Sequence, residues 1–419
     1  MESDPNALYL TSNLPDRCIR FPDEKRLWCH FVDVTCHMLT LPFDASHDPI
    51  MSGIISKGLH DTLVLNAILC LGASHLINPM RPEAPEVQAL TKSKQCLLRK
   101  AQEELSTRAS ALQSNKLTAH NNAEFEILLT AYLLLYLYEL SEGAGDDSWE
   151  TRLDDTRTFV YGVLGRHRTS ESGSRSLSDD EIQTPFNEDF EFLGIDKFLM
   201  QFFSYHDILG NVTSGNKFLS QRYSPASLLA WETDYFEYEH MLGMHHGLVE
   251  IISHVHTLQL DTSNAAFPRH IVITRAVDIW QDVNEWAIPE SDLDLRHIYD
   301  AYIAAISIWI LSIIYPGDVA KDKVQTMVSR GIASLTSMEG YSFQIVSLLP
   351  FFVIGLGCIR QQDREALEAQ LRRCEMTRCL GYIRLCRTKI RKVWQDYDGG
   401  INRSWNWECI SQDGSLPLV

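Results

Sequence analysis

The chain has 419 residues, 45% of them hydrophobic, which is enough to bury a large core or to build two lobes that share an interface. Its 37 basic and 55 acidic side chains leave a formal net charge of −18 at pH 7. A charge this negative opposes non-specific contact with DNA or with an anionic membrane surface.

The ten cysteines are dispersed, and none of them belongs to a Cys-x-x-Cys pair. The N-terminal stretch "MESDPNALYLTSNLPDRC" has no apolar core of the signal-peptide kind. We therefore expect a chain that is not secreted, in which the thiols stay reduced and several act as small hydrophobic side chains.

The stretch "HDTLVLNAILCLGASHL" (60–76) combines an apolar face at helical spacing with many small residues on its flanks. Asp61 is predicted to be its N-cap, and Asn78-Pro79 is predicted to end it. Small side chains let neighbouring helices approach closely on more than one side. The stretch therefore predicts a central helix in a multi-helix stack.

Helical periodicity continues along the whole chain. Further helices are predicted at 85–109, 124–140, 153–164, 232–260, 270–287, 295–315, 319–337 and 361–397. Another is predicted from a heptad-like stripe of Phe198, Phe202, Tyr205 and Leu209, ended by Gly215-Asn216. Since no alternating strand and no Asn-Gly hairpin turn stands out, the predicted fold class is all-α, a stacked multi-helix bundle.

The two most apolar runs are "ILLTAYLLLYLYEL" from Ile127 and "AYIAAISIWILSIIY" from Ala301. Each is shorter than the ~20 residues that a membrane span needs, so buried helices are the preferred interpretation and no membrane is expected. The Ser-rich segment 166–189 is short of aliphatic residues and predicts a surface loop or disordered insert.

The sharpest metal-like cluster lies in "HMLGMHHGLVEIISHVH" (240–256), where His246, Glu250 and His254 are spaced by four. On a helix the outer two lie roughly 12 Å apart, so one ion does not easily bind all three. Solvated or core histidines are the preferred interpretation, and a metal site is the alternative.

Gly-rich phosphate loops, G-x-S-x-G and His-Glu-x-x-His are absent from the sequence.

Tyr205, His206 and Asp207 offer a phenol, an imidazole and a carboxylate in succession. Adjacent helical residues point about 100° apart, so these three are not expected to meet, and catalysis is the minority interpretation.

The basic run 384–392 is explained by a solvated helix face, with nuclear import or nucleic-acid contact as the alternative. Trp405 and Trp407 predict a docked C-terminal tail, with an acidic-aromatic interaction segment as the alternative.

Five sequence blocks in a fixed order carry a resemblance to a known family. They are "LWCHFVDVTCHMLTLPFD", "HDPIMSGIISKGLHDTLVLNAILCLGASHL", "LLTAYLLLYLYELSEGAGDDSWETRL", "FFSYHDILGNVTSG", and "LLPFFVIGLGC…DR" with "KVWQDYD". The series resembles the fungal-specific transcription factor domain, the helical regulatory region that follows the zinc-cluster DNA-binding module of fungal regulators. It is most similar to the second common type, carried by sterol- and metabolite-responsive regulators.

The resemblance implies one helical regulatory domain over 27–400, between an N-terminal extension (1–26) and a C-terminal tail (401–419). It also implies a nuclear protein (with the cytoplasm as alternative) that binds a protein partner, either a full-length regulator or a second copy, and an apolar small molecule. It maps no ligand residues onto this chain. The family's DNA-binding module needs two Cys-x-x-Cys pairs to hold its zinc ions, and none is present. We therefore expect no direct binding of nucleic acid, because the module was lost or because the sequence begins too late.

Three hypotheses about function follow. The leading one is a transcription-factor-like regulator of secondary metabolism that lacks its own DNA-binding module and acts as co-regulator or decoy. The second is a helical scaffold reused as an enzyme or binding protein of specialised metabolism, with candidate residues at 205–207 or 240–256. The third is a relic or fragment of an ordinary DNA-binding regulator. No catalytic, cofactor-binding, metal-binding or DNA-binding residue is assigned.

Overall fold

A computed structural model describes residues 22–39, 50–114, 121–143, 147–171, 196–213, 246–262, 267–288, 295–338, 348–401 and 416. Within these ranges the chain forms α-helices joined by short connections and contains no β-strand. The predicted all-α, multi-helix fold class is therefore confirmed. The predicted ends at Gly215-Asn216 and the tail tryptophans Trp405 and Trp407 lie outside the described residues.

The α-helices in chain order are α1 (Pro22–His30), α2 (Ser56–His60), α3 (Thr62–Ile77), α4 (Pro85–Gln113), α5 (Asn122–Glu142), α6 (Ser148–Glu171), α7 (Lys197–Thr213), α8 (His246–Thr262), α9 (Arg269–Glu285), α10 (Arg296–Ile314), α11 (Asp322–Ser337), α12 (Leu348–Gly357), α13 (Gln361–Arg378) and α14 (Gly381–Asp398). Two π-helical segments, Phe31–Thr35 and Ile50–Ile55, and a 3₁₀ turn, Cys36–Met38, extend the first elements.

Most predicted helix ends differ from the structure by a few residues, and two differences change the organisation of the chain. The predicted helix 361–397 is broken, because α13 ends at Arg378 and α14 begins at Gly381. Between them Cys379 has a φ of 52°, a left-handed conformation that an α-helix does not contain. Helix α6 runs to Glu171, so the first residues of the predicted insert 166–189 are helical, and the rest lie outside the described residues.

Clustering of contacts divides the chain into two compact units. Unit 1 comprises Met1–Ala144, Ser148–Phe203 and the short segment Cys379–Gly381. Unit 2 comprises Gly145–Asp147, Ser204–Arg378 and Tyr382–Val419.

Unit 1 is organised around α3, which packs against α1, α2, α4 and α5. Asp61 accepts hydrogen bonds from the backbone N–H groups of Leu63 and Val64, so the predicted N-cap is confirmed. Twelve of the sixteen α3 residues are buried. Gly72 shows why the flanks are small, since a Cβ there would lie 2.9 Å from the carbonyl oxygen of Leu27 on α1. The central, closely packed helix predicted from the sequence is thus observed.

Unit 2 is organised around α10, which packs against α8, α9, α11 and α12. Fourteen of its nineteen residues are buried, including Tyr299, Tyr302 and Trp309. By length and apolarity α10 would suffice to cross a membrane, as would the bent pair Gly53–His60 and Thr62–Ile77 taken together. In α10, however, 78% of the apolar window is covered by other parts of the protein, as in the core helix of a bundle.

Candidate functional site

A partly buried polar network lies at the C-terminal end of α3 in unit 1. The ammonium of Lys94 on α4 is 2.7 and 2.8 Å from the two carboxylate oxygens of Glu142 on α5. The Ser74 hydroxyl lies 2.5 Å from Glu142 Oε1 and 2.8 Å from the Ser141 hydroxyl. The Lys94 residue is only 7% exposed, so its charge depends on the carboxylate rather than on water.

The same network holds the segment Cys379–Gly381. Asn78, the C-cap of α3, donates from Nδ2 to the carbonyl oxygens of Ser141 (2.8 Å) and Cys379 (2.9 Å). Gly143 ends α5 with a φ of 55°, and a Cβ at Gly143 would lie 2.2 Å from the carbonyl carbon of Gly381. Two glycine backbones therefore meet where no side chain would fit, which fixes how this segment docks within unit 1.

Aromatic and thiol groups surround the buried charge. The Lys94 ammonium is 5.7 Å from the centre of the Tyr138 ring, within range of a cation–π interaction. Burial, with smaller effects of Glu142 and Glu139, raises the pKa of the Tyr138 phenol well above its usual value. Burial likewise raises the pKa of the Cys70 thiol, so this cysteine stays neutral and behaves as a small apolar side chain.

A histidine pair joins α1 to α3 in the same unit. His30 Nε2 is 2.9 Å from His75 Nδ1, the rings are stacked with centroids 5.1 Å apart, and the Thr35 hydroxyl is 3.3 Å from the same Nδ1. Burial, with the neighbouring His75 and Arg26, lowers the pKa of His30 to about 4. His30 is therefore neutral near pH 7.

The residues Tyr205, His206 and Asp207 are 7%, 4% and 1% exposed, respectively. The rings of Tyr205 and His206 contact each other edge to face with centroids 5.4 Å apart, so the expectation that these neighbours do not meet is wrong for this pair. Burial, then the charge of Tyr302 and a hydrogen bond with it, raises the pKa of Tyr205 well above its usual value. Burial lowers the pKa of His206 to about 3. Both groups are therefore held neutral, which suits packing better than proton transfer at pH 7.

The histidine-rich segment does not converge within the part of the chain that can be described. On α8 both Glu250 and His254 are exposed, while the side chain of His246 and residues 240–245 lie outside the description. No group of three His, Cys, Asp or Glu side chains able to hold a metal ion occurs among the described residues.

The basic run 384–392 is engaged by carboxylates of the preceding helix. Arg391 donates to Glu368 from Nε at 3.1 Å and from a terminal nitrogen, and Arg387 Nε is 3.1 Å from the same carboxylate. Arg387 also pairs with Glu375. Partial burial works to raise the pKa of Glu368, but hydrogen bonds from Arg391 and Arg372 outweigh it, so the pKa lies below its usual range. Arg387 and Arg391 thus join α14 to α13, so this face of α14 is not fully solvated.

The closing sequence signals also meet in unit 2. Arg364 donates from Nε to the carbonyl oxygen of Cys358 (3.1 Å) and from a terminal nitrogen to both carboxylate oxygens of Asp398 (2.9 and 2.7 Å). The Trp394 indole donates to the carbonyl oxygen of Gly355 at 2.9 Å. The sequence blocks "LLPFFVIGLGC…DR" and "KVWQDYD" therefore pack against each other.

Sequence reasoning did not single out Lys94 or Glu142, and it predicted Asn78 only as the end of a helix. A signal was present, because Lys94 interrupts the buried stripe Leu90, Leu97 and Ala101 of α4 at helical spacing. A lysine in an apolar stripe demands a partner, but the sequence does not say which carboxylate supplies it.

A family model described as the fungal-specific transcription factor domain matches residues 26–418. No curated relative and no solved structure gives a significant match. Because the family model covers nearly the whole chain, this protein belongs to the fungal-specific transcription factor domain family, whose role is that of a transcription regulator.

Proposed function

We propose that this chain regulates genes of secondary metabolism and reaches their promoters through a protein partner. The observation that carries the proposal is the match of residues 26–418 to the fungal-specific transcription factor domain. One property of the 419 residues supports the indirect route to DNA. Their net charge of −18 opposes binding to a polyanion.

The distribution of basic side chains supports the same route. Arg387 and Arg391, in the most basic run of the sequence, are bound to Glu368 rather than available for phosphate groups. Arg364 is bound to Asp398, and Arg108 is bound to Asp61 and Glu124. Basic groups already matched by carboxylates bind a phosphate backbone only after those ion pairs break.

Control by an apolar small molecule is part of the proposal, because the sequence blocks resemble those of sterol- and metabolite-responsive regulators. The nuclear location belongs to it as well, since a co-regulator must meet its partner at the promoter. The experiments must distinguish regulation from the alternative that the protein is an enzyme. The candidate catalytic residues for that alternative are Tyr205, His206 and Asp207.

The decisive experiment is deletion of the gene, followed by parallel transcript and metabolite profiling. Regulation predicts coordinated changes in several transcripts, restored by re-expression of the wild-type chain. A blocked metabolic step with unchanged transcripts would replace regulation by catalysis. Complementation with Tyr205→Phe sharpens the comparison, because this variant keeps the ring but removes the phenol. We expect it to restore transcripts and metabolites fully.

Chromatin immunoprecipitation of a tagged chain tests the route to DNA. We expect the tag to be nuclear and to be enriched at the promoters of the affected genes. The purified chain should show no more than weak, salt-sensitive binding to the same promoter DNA in vitro. Tight binding by the purified chain at physiological salt would contradict the proposed dependence on a partner.

A further inference from the structure

We draw no further inference here: the strongest candidate, the cluster of the buried side chains of Gln325, Asp363 and Arg364 around the C-terminal end of α12, has polar atoms without a hydrogen-bond partner among the described residues, but nothing in the described part of the chain shows what would bind them.

Discussion

The two central helices, α3 of unit 1 and α10 of unit 2, are similarly apolar in sequence but are buried against different surroundings. Helix α3 has small flanking residues and brings Ser74 and His75 to polar partners in the interior. Helix α10 carries the large side chains Tyr302 and Trp309, both almost fully buried, and its Asp300 meets Arg330 and Arg296 at a half-exposed edge. An apolar run thus predicts burial, but it does not predict which polar groups lie beside the helix.

This difference has an energetic consequence for the ion pairs of the two units. In unit 1 the Lys94 and Glu142 side chains are 9% and 27% exposed, so the ammonium lies away from most water. In unit 2 the Arg391 side chain is 42% exposed and that of its partner Glu368 is 15% exposed, so here the cation is the more exposed member of the pair. Breaking a buried pair strands a charge in a poor solvent, whereas a surface pair exchanges its partner for water. Similar contacts should therefore differ several-fold in their effect on stability.

The largest effect is expected from Glu142→Ala. This change leaves the Lys94 ammonium buried without its carboxylate and should lower the free energy of unfolding by about 3–5 kcal/mol. Urea unfolding gives the magnitude, and hydrogen exchange measured by mass spectrometry should place the loss of protection in α3, α4 and α5. The loss should change little between low and high salt, because solvent ions reach a buried pair poorly.

The double variant Lys94→Met/Glu142→Gln is the matched control. It removes both charges while keeping side chains of similar length, so it should recover most of the stability that Glu142→Ala loses. A double variant as unstable as Glu142→Ala would mean that the shapes of these side chains, and not the stranded charge, determine stability.

The apolar centre of unit 2 gives the next effect. Ile310 on α10 is fully buried, and Ile310→Ala should cost about 2–5 kcal/mol through lost burial and the cavity left behind. Ile310→Val removes a single methylene and should cost about 0.5–1.5 kcal/mol. Hydrogen exchange should locate both losses in α10 to α12. Equal losses for the two variants would show that the cavity does not govern stability at this position.

The sequence predicted the helices well where local chemistry determines them. Asp61 as a cap, the stop at Asn78 and the apolar stripe of α7 depend on residues a few positions apart, and the observed α3 and α7 agree with them. The family resemblance rested on the order of such blocks, and the family model confirms it.

Contacts between distant positions could not be predicted from one sequence. Lys94 and Glu142 are 48 positions apart, and Asn78 and Cys379 are 301 apart. The break at Cys379 was missed for the same reason. Its left-handed backbone follows from docking against Gly143 and Asn78, and nothing in the helical periodicity of 361–397 signals it.

Acid pH provides a more gradual comparison of the two units. The pKa of His206 is lowered from 6.5 to about 3, so below pH 6.5 the unfolded chain binds a proton that the folded chain does not. Stability from this group is complete above pH 6.5 and falls as pH is lowered, by up to about 1.4 kcal/mol per pH unit. Urea unfolding of His206→Phe, measured between pH 7 and 4, should give a free energy of unfolding that falls less steeply with falling pH than that of the wild type.

His30 of unit 1 should behave similarly over a narrower pH window. Its pKa of about 4 limits the loss of stability to the range from pH 6.5 to 4, and the partial exposure of its ring makes that loss smaller. Comparing His30→Gln with His206→Phe at the same pH values separates the two contributions. A slope unchanged in both variants would show that carboxylates alone control the acid response.

The smallest effect is expected from Arg391→Gln on α14. Its pair with Glu368 is partly exposed, and Arg387 and Arg372 remain beside the same carboxylate, so the loss should be about 0.2–1 kcal/mol. Unlike the loss from Glu142→Ala, it should shrink further in high salt, because solvent ions screen an exposed pair. Arg384→Gln is the control on the same helix, since no ion pair of Arg384 occurs among the described residues, and it should change stability by less. If Arg391→Gln instead costs as much as Glu142→Ala and is equally insensitive to salt, depth of burial does not distinguish the ion pairs of the two units.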